Sequence, residues 1–180
     1  MGEKAILLGR ETDYYRCWDT EVHSGDSHGG PTLSKQLHHV VMSSYSADTL
    51  IKFFTEVVGL ETQHQFPVPG HVFETTLGWP PSDGATITIL GSGMAGLVEV
   101  LDVPESVRSV QPEGLTALSF MADDYQDTEA KARTFADDVT AVDAGVPGVD
   151  LFVCTMGGVP MEFMGSYEAD AAQAASQQGS

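Results

Sequence analysis

The pattern of apolar and polar positions predicts a strand, a helix and several strands, and then the same order again. The first cycle opens with a strand that begins at Leu37. Ser46 is a typical helix N-cap residue, and Gly59 is typical of a helix C-terminus. Between them, apolar residues recur at helical spacing at positions 50, 51, 54, 57 and 58. Strands are then predicted over residues 60–66, 71–77, 85–90 and 94–101, the last two being either two strands or one strand broken at residues 91–93.

The second cycle opens with a strand over residues 115–121. A helix capped by Asp123 or Asp124 is expected to run to residue 136, although its apolar face is thin. The remaining strands are predicted over residues 139–142, 149–155 and 159–164, with Gly157 and Gly158 as a hairpin turn. The second cycle thus repeats the order of the first.

The repeated order indicates an internal duplication, because the opening strands begin at Leu37 and Leu115, 78 positions apart. Strands in series with one helix per cycle are typical of an α+β fold rather than of a parallel α/β sheet. The sequence therefore predicts two tandem βαβββ modules, at residues 36–110 and 111–166. They follow an N-terminal extension, residues 1–35, and precede a flexible tail, residues 167–180.

The charge balance excludes some classes of partner. The chain carries 26 acidic and 8 basic side chains, a formal net charge of −18, whereas phosphate binding needs clustered Lys and Arg. We therefore expect no nucleic acid and no membrane as partner. No apolar run approaches the roughly 20 residues that span a bilayer. The apolar segment at residues 5–8 is too short for a signal peptide, so the cytoplasm is the predicted location.

Three polar side chains interrupt apolar strands: His39, Glu99 and Glu162. Strand alternation places the rings of His38 and His39 on opposite faces. A lone buried carboxylate costs several kcal/mol, so each glutamate needs a metal ion, a cation or a wet pocket. Taken singly, each glutamate would also fit a solvated sheet face, and His39 would fit a hydrogen-bonded core histidine. Their matching places in the duplicated pattern favour one shared site.

The segments LHHVV at residues 37–41 and LIKFFTEVVGL at residues 50–60 resemble the opening of a glyoxalase I, bleomycin-resistance or extradiol dioxygenase module. These proteins form the vicinal oxygen chelate superfamily. The segment GGVPMEFM at residues 157–164 is similar to the hairpin that closes the second module of the family. The resemblance implies a curved mixed sheet around one pocket that takes a small-molecule substrate. It also implies that His39, Glu99 and Glu162 are metal ligands and that the two glutamates are catalytic.

The sequence departs from the family at the second histidine. An offset of 78 positions from His39 leads to Ala117, so the usual two histidines and two carboxylates are reduced to three ligands. Three ligands with water molecules still hold a divalent metal, with lower affinity, and His64 or His71 are less favoured substitutes. The expected cofactor is therefore a divalent ion, with Zn, Ni, Co, Mn, Mg and Fe not distinguished, or none at all.

The residues leave more than one function open. The first hypothesis is a glyoxalase-like lyase or isomerase that acts on an enolisable oxygenated substrate, with a metal or the paired glutamates. The alternative is a metal-free small-molecule binding protein of the drug-sequestering resistance type. A weaker alternative is a ring-cleaving dioxygenase, whose iron site needs two histidines. A structural or interaction protein with an unused pocket is the remaining hypothesis. Because superfamily members often dimerise, the resemblance also suggests a homodimer.

Overall fold

The structure, a computed structural model, describes residues 37–93, 95–122, 124–143 and 149–165. Within these ranges the chain forms one curved mixed sheet of eight strands with three α-helices. The predicted N-terminal extension (residues 1–35) and tail (residues 167–180) lie outside the described residues. The module boundary between residues 110 and 111 stays a prediction.

The helices and strands follow the predicted order in both cycles. The first cycle comprises β1 (Leu37–Ser44), α1 (Ala47–Phe53), β2 (Thr62–Val68), α2 (Gly70–Thr76), β3 (Ala85–Leu90) and β4 (Leu97–Asp102). A π-helical turn (Phe54–Val58) extends α1, and a 3-10 turn (Glu105–Val107) follows β4. The second cycle comprises β5 (Gly114–Met121), α3 (Tyr125–Ala132), β6 (Thr140–Val142), β7 (Asp150–Met156) and β8 (Val159–Gly165).

The order of strands across the sheet reflects the duplication. It runs β2-β3-β4-β1-β5-β8-β7-β6, so each cycle forms one contiguous half. Strand β1 is parallel to β4 and antiparallel to β5, and β5 is parallel to β8. The predicted α+β fold with two tandem βαβββ modules is confirmed, and α2 is an additional helix within the first module.

Helices α1 and α3 cover the same face of the sheet. Val98 packs in the core under α1, and Met161 packs in the core under α3. Val98, Val40, Leu118 and Met161 are successive cross-strand neighbours, so the two cores lie on one face. Burial of apolar side chains there is the main favourable term that holds the helices on the sheet. The opposite face, here called the inner face, is left for other contacts.

The ends of α1 follow the prediction better than its packing does. Ser46 occupies the N-cap position, but its side chain makes no capping hydrogen bond. The π-helical turn changes the helical period, and Val57 is consequently 70% exposed. Val57 and Val58 thus lie in the helical segment, as their spacing predicts, but both side chains are exposed. Gly59 ends the turn in the left-handed conformation, with φ of 83°, as predicted.

The strand predicted over residues 71–77 is wrong, because this segment forms α2. Phe73 is buried and its ring stacks on Trp79, with ring centroids 4.6 Å apart. Val72 packs on the inner face of the second module, against the core of Val142, Leu151 and Val153. The Val-Phe-Glu-Thr-Thr composition favours a strand, but this preference is at most about 1 kcal/mol at any one position. Burial of Phe73 against Trp79 and packing of Val72 against the second module outweigh that preference.

The remaining predictions differ from the structure mainly at element ends. Asp124 caps α3 by accepting the backbone N–H of Asp127 at 2.8 Å, as predicted, but the α-helix ends at Ala132 rather than at residue 136. Residues 91–93 separate two antiparallel strands, β3 and β4, so the broken-strand alternative is wrong. Gly157 and Gly158 have φ of 61° and 80°, which suits the tight hairpin turn that was predicted.

Candidate functional site

A β-bulge in β1 brings two histidine rings together. The pairing of β1 with β5 shifts register between Leu37 and His39, so His38 is the extra residue. The Nδ1 atoms of His38 and His39 lie 2.7 Å apart, and both side chains are buried. The expectation that the two rings point to opposite faces is wrong, because the bulge removes His38 from the regular alternation.

His39, Glu99 and Glu162 converge on the inner face from β1, β4 and β8. The Nε2 atom of His39 lies 3.4 Å from Glu99 Oε2 and 3.7 Å from Glu162 Oε2. The exposed fractions of the three side chains are 5%, 13% and 17%. Neither contact has hydrogen-bond geometry, and Nε2 is a buried nitrogen without a hydrogen-bond partner. The structure thus places the three predicted site residues in one buried cluster and not on a solvated face.

The two histidines are driven toward different protonation states. Burial and the neighbouring charge of His39 lower the pKa of His38 to about 4, so His38 is neutral at neutral pH. Burial also opposes a charge on His39, but the Glu162 and Glu99 carboxylates outweigh it and raise the pKa of His39. A charged His39 donates its Nδ1–H to His38 Nδ1 and directs its Nε2–H at the carboxylates.

Glu99 is the carboxyl group with the strongest shift in the cluster. Burial raises its pKa, His39 partly opposes this, and Glu162 adds to the rise, so that the pKa reaches about 7. Near neutral pH, Glu99 is therefore present both as an acid and as a base. A carboxyl group with a pKa close to the working pH is suited to proton transfer.

The register of the sheet identifies the equivalent positions in the two modules. His39 pairs with Ser119, and Val41 pairs with Ala117. Val41 also pairs with Glu99 on β4, just as Ser119 pairs with Glu162 on β8. The duplication therefore relates His39 to Ala117, Val41 to Ser119 and Glu99 to Glu162. Ala117, fully buried, occupies the place where a second histidine would join the cluster.

Two polar residues of the cluster were not selected from the sequence. His38 was set aside because the strand histidine of the resembling family directly precedes aliphatic residues, as His39 precedes Val40, and only the irregular pairing of β1 reveals the contact of His38 with His39. Ser119 lies between His39 and Glu162 in one cross-strand row, and its Oγ is buried without a partner. A serine in an apolar strand is a weak signal in a single sequence, so only the packing distinguishes it.

The two substitute histidines differ in their placement. His64 on β2 pairs with Ile89, which in turn pairs with Glu99, so His64 lies on the inner face two strands from Glu99. His71 is exposed on α2. One intervening strand thus separates His64 from Glu99, and His71 lies on the surface.

Helix α2 and a buried polar chain bound the inner face beyond the cluster. Ser43 Oγ lies 2.6 Å from Thr116 Oγ1, and Gln111 Nε2 donates to Thr116 Oγ1 at 3.3 Å. Trp79 Nε1 donates to Gln111 Oε1 at 2.9 Å, and the Trp79 ring stacks on Phe73 of α2. Each of these four polar side chains has a hydrogen-bond partner, so the series leaves no unpaired group on this side of the inner face.

The residues of the cluster fit a divalent ion chemically, as the family resemblance implies. One imidazole nitrogen and two carboxylates are a common donor set, and a ligand separation of about 3.0–3.4 Å follows from metal bonds of roughly 2.1 Å. In the ranges described, however, no group of three or more His, Cys, Asp or Glu side chains has the arrangement of a formed metal site. His39, Glu99 and Glu162 would have to close slightly around an ion.

Several solved structures share this fold. A methylmalonyl-CoA epimerase from Mycobacterium tuberculosis has a TM-score of 0.54 at 17% identity, over 81% of this chain and 99% of that chain. A Streptomyces coelicolor epimerase in complex with 2-nitronate-propionyl-CoA has a TM-score of 0.52 at 18% identity, over 74% and 96%. A hypothetical protein from Bacillus halodurans has a TM-score of 0.53 at 15% identity, over 73% and 94%.

Methylmalonyl-CoA epimerase is a member of the vicinal oxygen chelate superfamily. This chain has the vicinal oxygen chelate fold. No family model matches the sequence, and no curated protein matches it either. At identities of 15–18% the likeness establishes the fold and leaves the activity to be argued from the site. No helix in the described part of this chain has the length and apolar character needed to cross a membrane.

Proposed function

We propose that this chain is a glyoxalase-like enzyme, an isomerase or lyase that acts on a small enolisable compound with neighbouring oxygen atoms. The observation that carries the proposal is the buried contact of His39 Nε2 with Glu99 at 3.4 Å and Glu162 at 3.7 Å. Moving a proton next to a carbonyl needs a base and an acid. Two carboxyl groups beside one imidazole can supply both.

The roles of the two glutamates follow from their surroundings. Glu99, with a pKa raised to about 7 by burial, holds a proton near neutral pH and acts as the acid. Glu162 acts as the base that removes the substrate proton. His39 lies between them, and its positive charge offsets the repulsion between the carboxylates. The same charge stabilises an enolate oxygen as negative charge develops on it.

A divalent ion is the second form of this proposal. Held by His39, Glu99 and Glu162, such an ion would stabilise an enolate as a Lewis acid. His38 would then keep the Nδ1–H of His39 engaged, which leaves Nε2 free to bind. Zn, Ni, Co, Mn, Mg and Fe all accept nitrogen and carboxylate donors, so the proposal names no particular ion.

The surroundings favour a substrate with little negative charge. The four basic side chains in the described ranges already have acidic, carbonyl or aromatic partners: Lys52 with Glu56, Lys131 with Asp127, Arg133 with Glu129, and Arg108 with Tyr45 and Val103. The acidic, carbonyl and aromatic partners of these cations compete with the phosphates of a coenzyme A ester. We therefore expect a compound without coenzyme A to react better than the ester found with the Streptomyces coelicolor epimerase.

Hydrogen exchange tests the proposal. The protein, treated with EDTA or reloaded with Zn²⁺, Ni²⁺, Mn²⁺ or Mg²⁺, is incubated in D₂O with acetoin, 2-oxobutanoate or methylmalonyl-CoA. NMR follows the proton next to the carbonyl. We expect faster exchange than in buffer for at least one compound without coenzyme A, and no enhancement with the Glu99→Gln/Glu162→Gln double variant.

The matched control is Glu56→Gln, since Glu56 is a glutamate whose side chain is 64% exposed and lies outside the cluster. It should exchange the substrate at the wild-type rate. Exchange at the buffer rate with all three compounds, with and without metal, would contradict the enzymatic proposal.

Ala117 supports the alternative of a metal-free binding protein, because the second imidazole of a full ligand set is replaced by a buried methyl group. In that case a cationic aromatic dye should bind saturably and raise the melting temperature by mass action. The binding should be lost in Glu162→Gln while none of the three compounds exchanges. The dioxygenase alternative is disfavoured by the same residue, since its iron site needs two histidines.

The partner and location predictions belong to the same proposal. A homodimer is expected from the family resemblance, and sedimentation equilibrium over a range of concentrations would detect it. The cytoplasm stays the predicted location. Fractionation of cells that express the chain would test it.

A further inference from the structure

Two buried polar side-chain atoms in the described part of the chain have no hydrogen-bond partner, and both belong to the cluster. They are His39 Nε2 and Ser119 Oγ. His39 has a role in the proposed function, whereas Ser119 has none so far. Its side chain is fully buried in β5, and its exposed fraction is 0%. An unpaired hydroxyl at such a position requires an explanation.

Ser119 lies on the inner face beneath the contact between two site residues. It is the direct cross-strand partner of His39 on one side and of Glu162 on the other. In the antiparallel pair of Ser119 with His39 the Cβ atoms are about 4.5–5.5 Å apart, so the Ser119 hydroxyl lies close to the His39 side chain. His39 Nε2 and Glu162 Oε2 approach each other to 3.7 Å across this middle strand.

The cost of burying an unpaired hydroxyl makes a serine unexpected here if its role is purely structural. A buried hydroxyl without a partner costs about 1–3 kcal/mol relative to its hydrated state. Alanine would avoid that cost, and β5 does carry alanine two residues earlier, at Ala117 on the same face. The nearby Ser43 shows the usual solution, since its Oγ is 2.6 Å from Thr116 Oγ1. Ser119 Oγ lacks such a partner among the residues that the structure describes.

The duplication suggests why the hydroxyl is placed there. Ser119 corresponds to Val41 of the first module, and Ala117 corresponds to His39. The second module therefore offers no polar group at the histidine position but offers one two residues further along the same strand face. Ser119 is the cross-strand neighbour of His39, so the two atoms without hydrogen-bond partners belong to adjacent side chains.

We propose that Ser119 is a substrate-binding residue whose hydroxyl donates a hydrogen bond to an oxygen atom of a compound bound at the cluster of His39, Glu99 and Glu162. This inference rests on the proposed function, because it requires that the cluster takes an oxygenated small molecule. It assigns to Ser119 the contact that a second imidazole would make in a symmetric site. The oxygen atom is a carbonyl or enolate oxygen, an acceptor for which a neutral donor is suited.

The test compares Ser119→Ala with Ser43→Ala, which removes a buried serine hydroxyl that already has a partner. Thermal unfolding of both variants is measured without added ligand. Ser119→Ala should be as stable as the wild type or more stable, because it removes an unpaired group. Ser43→Ala should melt at a lower temperature, because it leaves Thr116 with one partner fewer.

Acetoin and 2-oxobutanoate are the probes for binding and exchange. Ser119→Ala should weaken binding of the better probe about tenfold, measured by NMR titration, and lower the exchange rate at low probe concentration by a similar factor. Ser43→Ala should bind the probe as the wild type does. Unchanged probe affinity in Ser119→Ala would overturn the proposal, and so would destabilisation of unliganded Ser119→Ala equal to that of Ser43→Ala.

The outcomes keep the two proposals apart. Binding without exchange in the wild type would overturn the enzymatic function alone, and the affinity of Ser119→Ala then still decides the role of Ser119. If the wild type binds neither probe, the proposed function fails together with the inferred contact. A stable Ser119→Ala variant that binds the probe weakly supports Ser119 as a binding residue whatever the exchange rate shows.

Discussion

The first module brings two histidines and a glutamate to the cluster, whereas the second brings a glutamate and a serine. Glu99 and Glu162 occupy equivalent positions in β4 and β8, and both are largely buried. The histidine position has no such symmetry, since His39 corresponds to Ala117. Both modules therefore supply a carboxylate, but only the first supplies an imidazole at this position, so one imidazole lies beside two carboxyl groups.

This asymmetry has chemical consequences. In a symmetric site two imidazoles would share the charge of two carboxylates and complete four ligands for a metal ion. Here one imidazole serves both carboxylates, and burial holds the pKa of Glu99 at about 7. The second module offers a neutral hydroxyl, Ser119, in the row of His39. The difference between the modules thus gives the two glutamates different cross-strand neighbours, Val41 for Glu99 and Ser119 for Glu162.

The largest expected effect comes from replacing the two glutamates one at a time. Glu99→Gln and Glu162→Gln should each reduce substrate exchange about 10²- to 10⁴-fold, the usual contribution of a general acid or base. The pH profile should differ between them, because only Glu162→Gln retains the group that titrates near pH 7. Rates from pH 5 to 9 with acetoin measure this. Identical profiles for both variants would break the assigned division of roles.

The next effect is on stability in the presence of EDTA. The pKa of Glu99 is raised from 4.5 to about 7, so the folded protein holds this proton more tightly than the unfolded chain. The contribution of this bound proton to the stability of the fold is complete below pH 4.5 and is lost as the pH rises through about 7. The free energy of unfolding of the wild type, relative to Glu99→Gln, should therefore fall by about 3 kcal/mol from pH 4.5 to pH 8.

Urea unfolding of both proteins at each pH gives this difference. The comparison with Glu99→Gln is needed because His38 acts in the opposite direction. Its lowered pKa makes stability fall as the pH drops from 6.5 to about 4. If the wild type and Glu99→Gln differ by the same free energy of unfolding at pH 4.5 and at pH 8, the pKa of Glu99 is not raised.

A smaller effect is expected from restoring the symmetry. Ala117→His places an imidazole at the position equivalent to His39 and should raise the affinity for Zn²⁺ about 10- to 100-fold, as an added ligand completes the set. Competition with a chromophoric chelator measures the affinity. Adding His39→Ala to Ala117→His should remove the gain. If Ala117→His binds Zn²⁺ as the wild type does, the second position does not face the ion.

The sequence predicted strands and turns well where the signal is local. Gly59 ends the first helix and Gly157 begins the last hairpin because both need a positive φ that glycine adopts at little cost. The prediction for residues 71–77 was wrong, since Phe73 is buried in a stack with Trp79 just beyond the segment and Val72 packs against the distant second module. Helix and strand preferences are too small to compete with such burial.

The candidate site was predictable to a similar extent. Glu99 and Glu162 stand out as charges in apolar strands, and the duplicated pattern links them with His39. The offset of 78 positions also identified Ala117 correctly, and the sheet register agrees. His38 and Ser119 could not be selected in this way. A bulge breaks the strand alternation at His38. In the sequence alone, Ser119 does not differ from any other serine.

The order of residues alone determined the duplicated α+β fold and which residue types interrupt its apolar strands, because periodicity and turn chemistry act over a few neighbouring positions. Only the tertiary structure decided which of those residues meet, how Glu99 and His39 are charged, and which hydroxyl lacks a partner. Burial and Coulomb interactions between distant strands set these properties, and they exist only once β1, β4, β5 and β8 lie side by side.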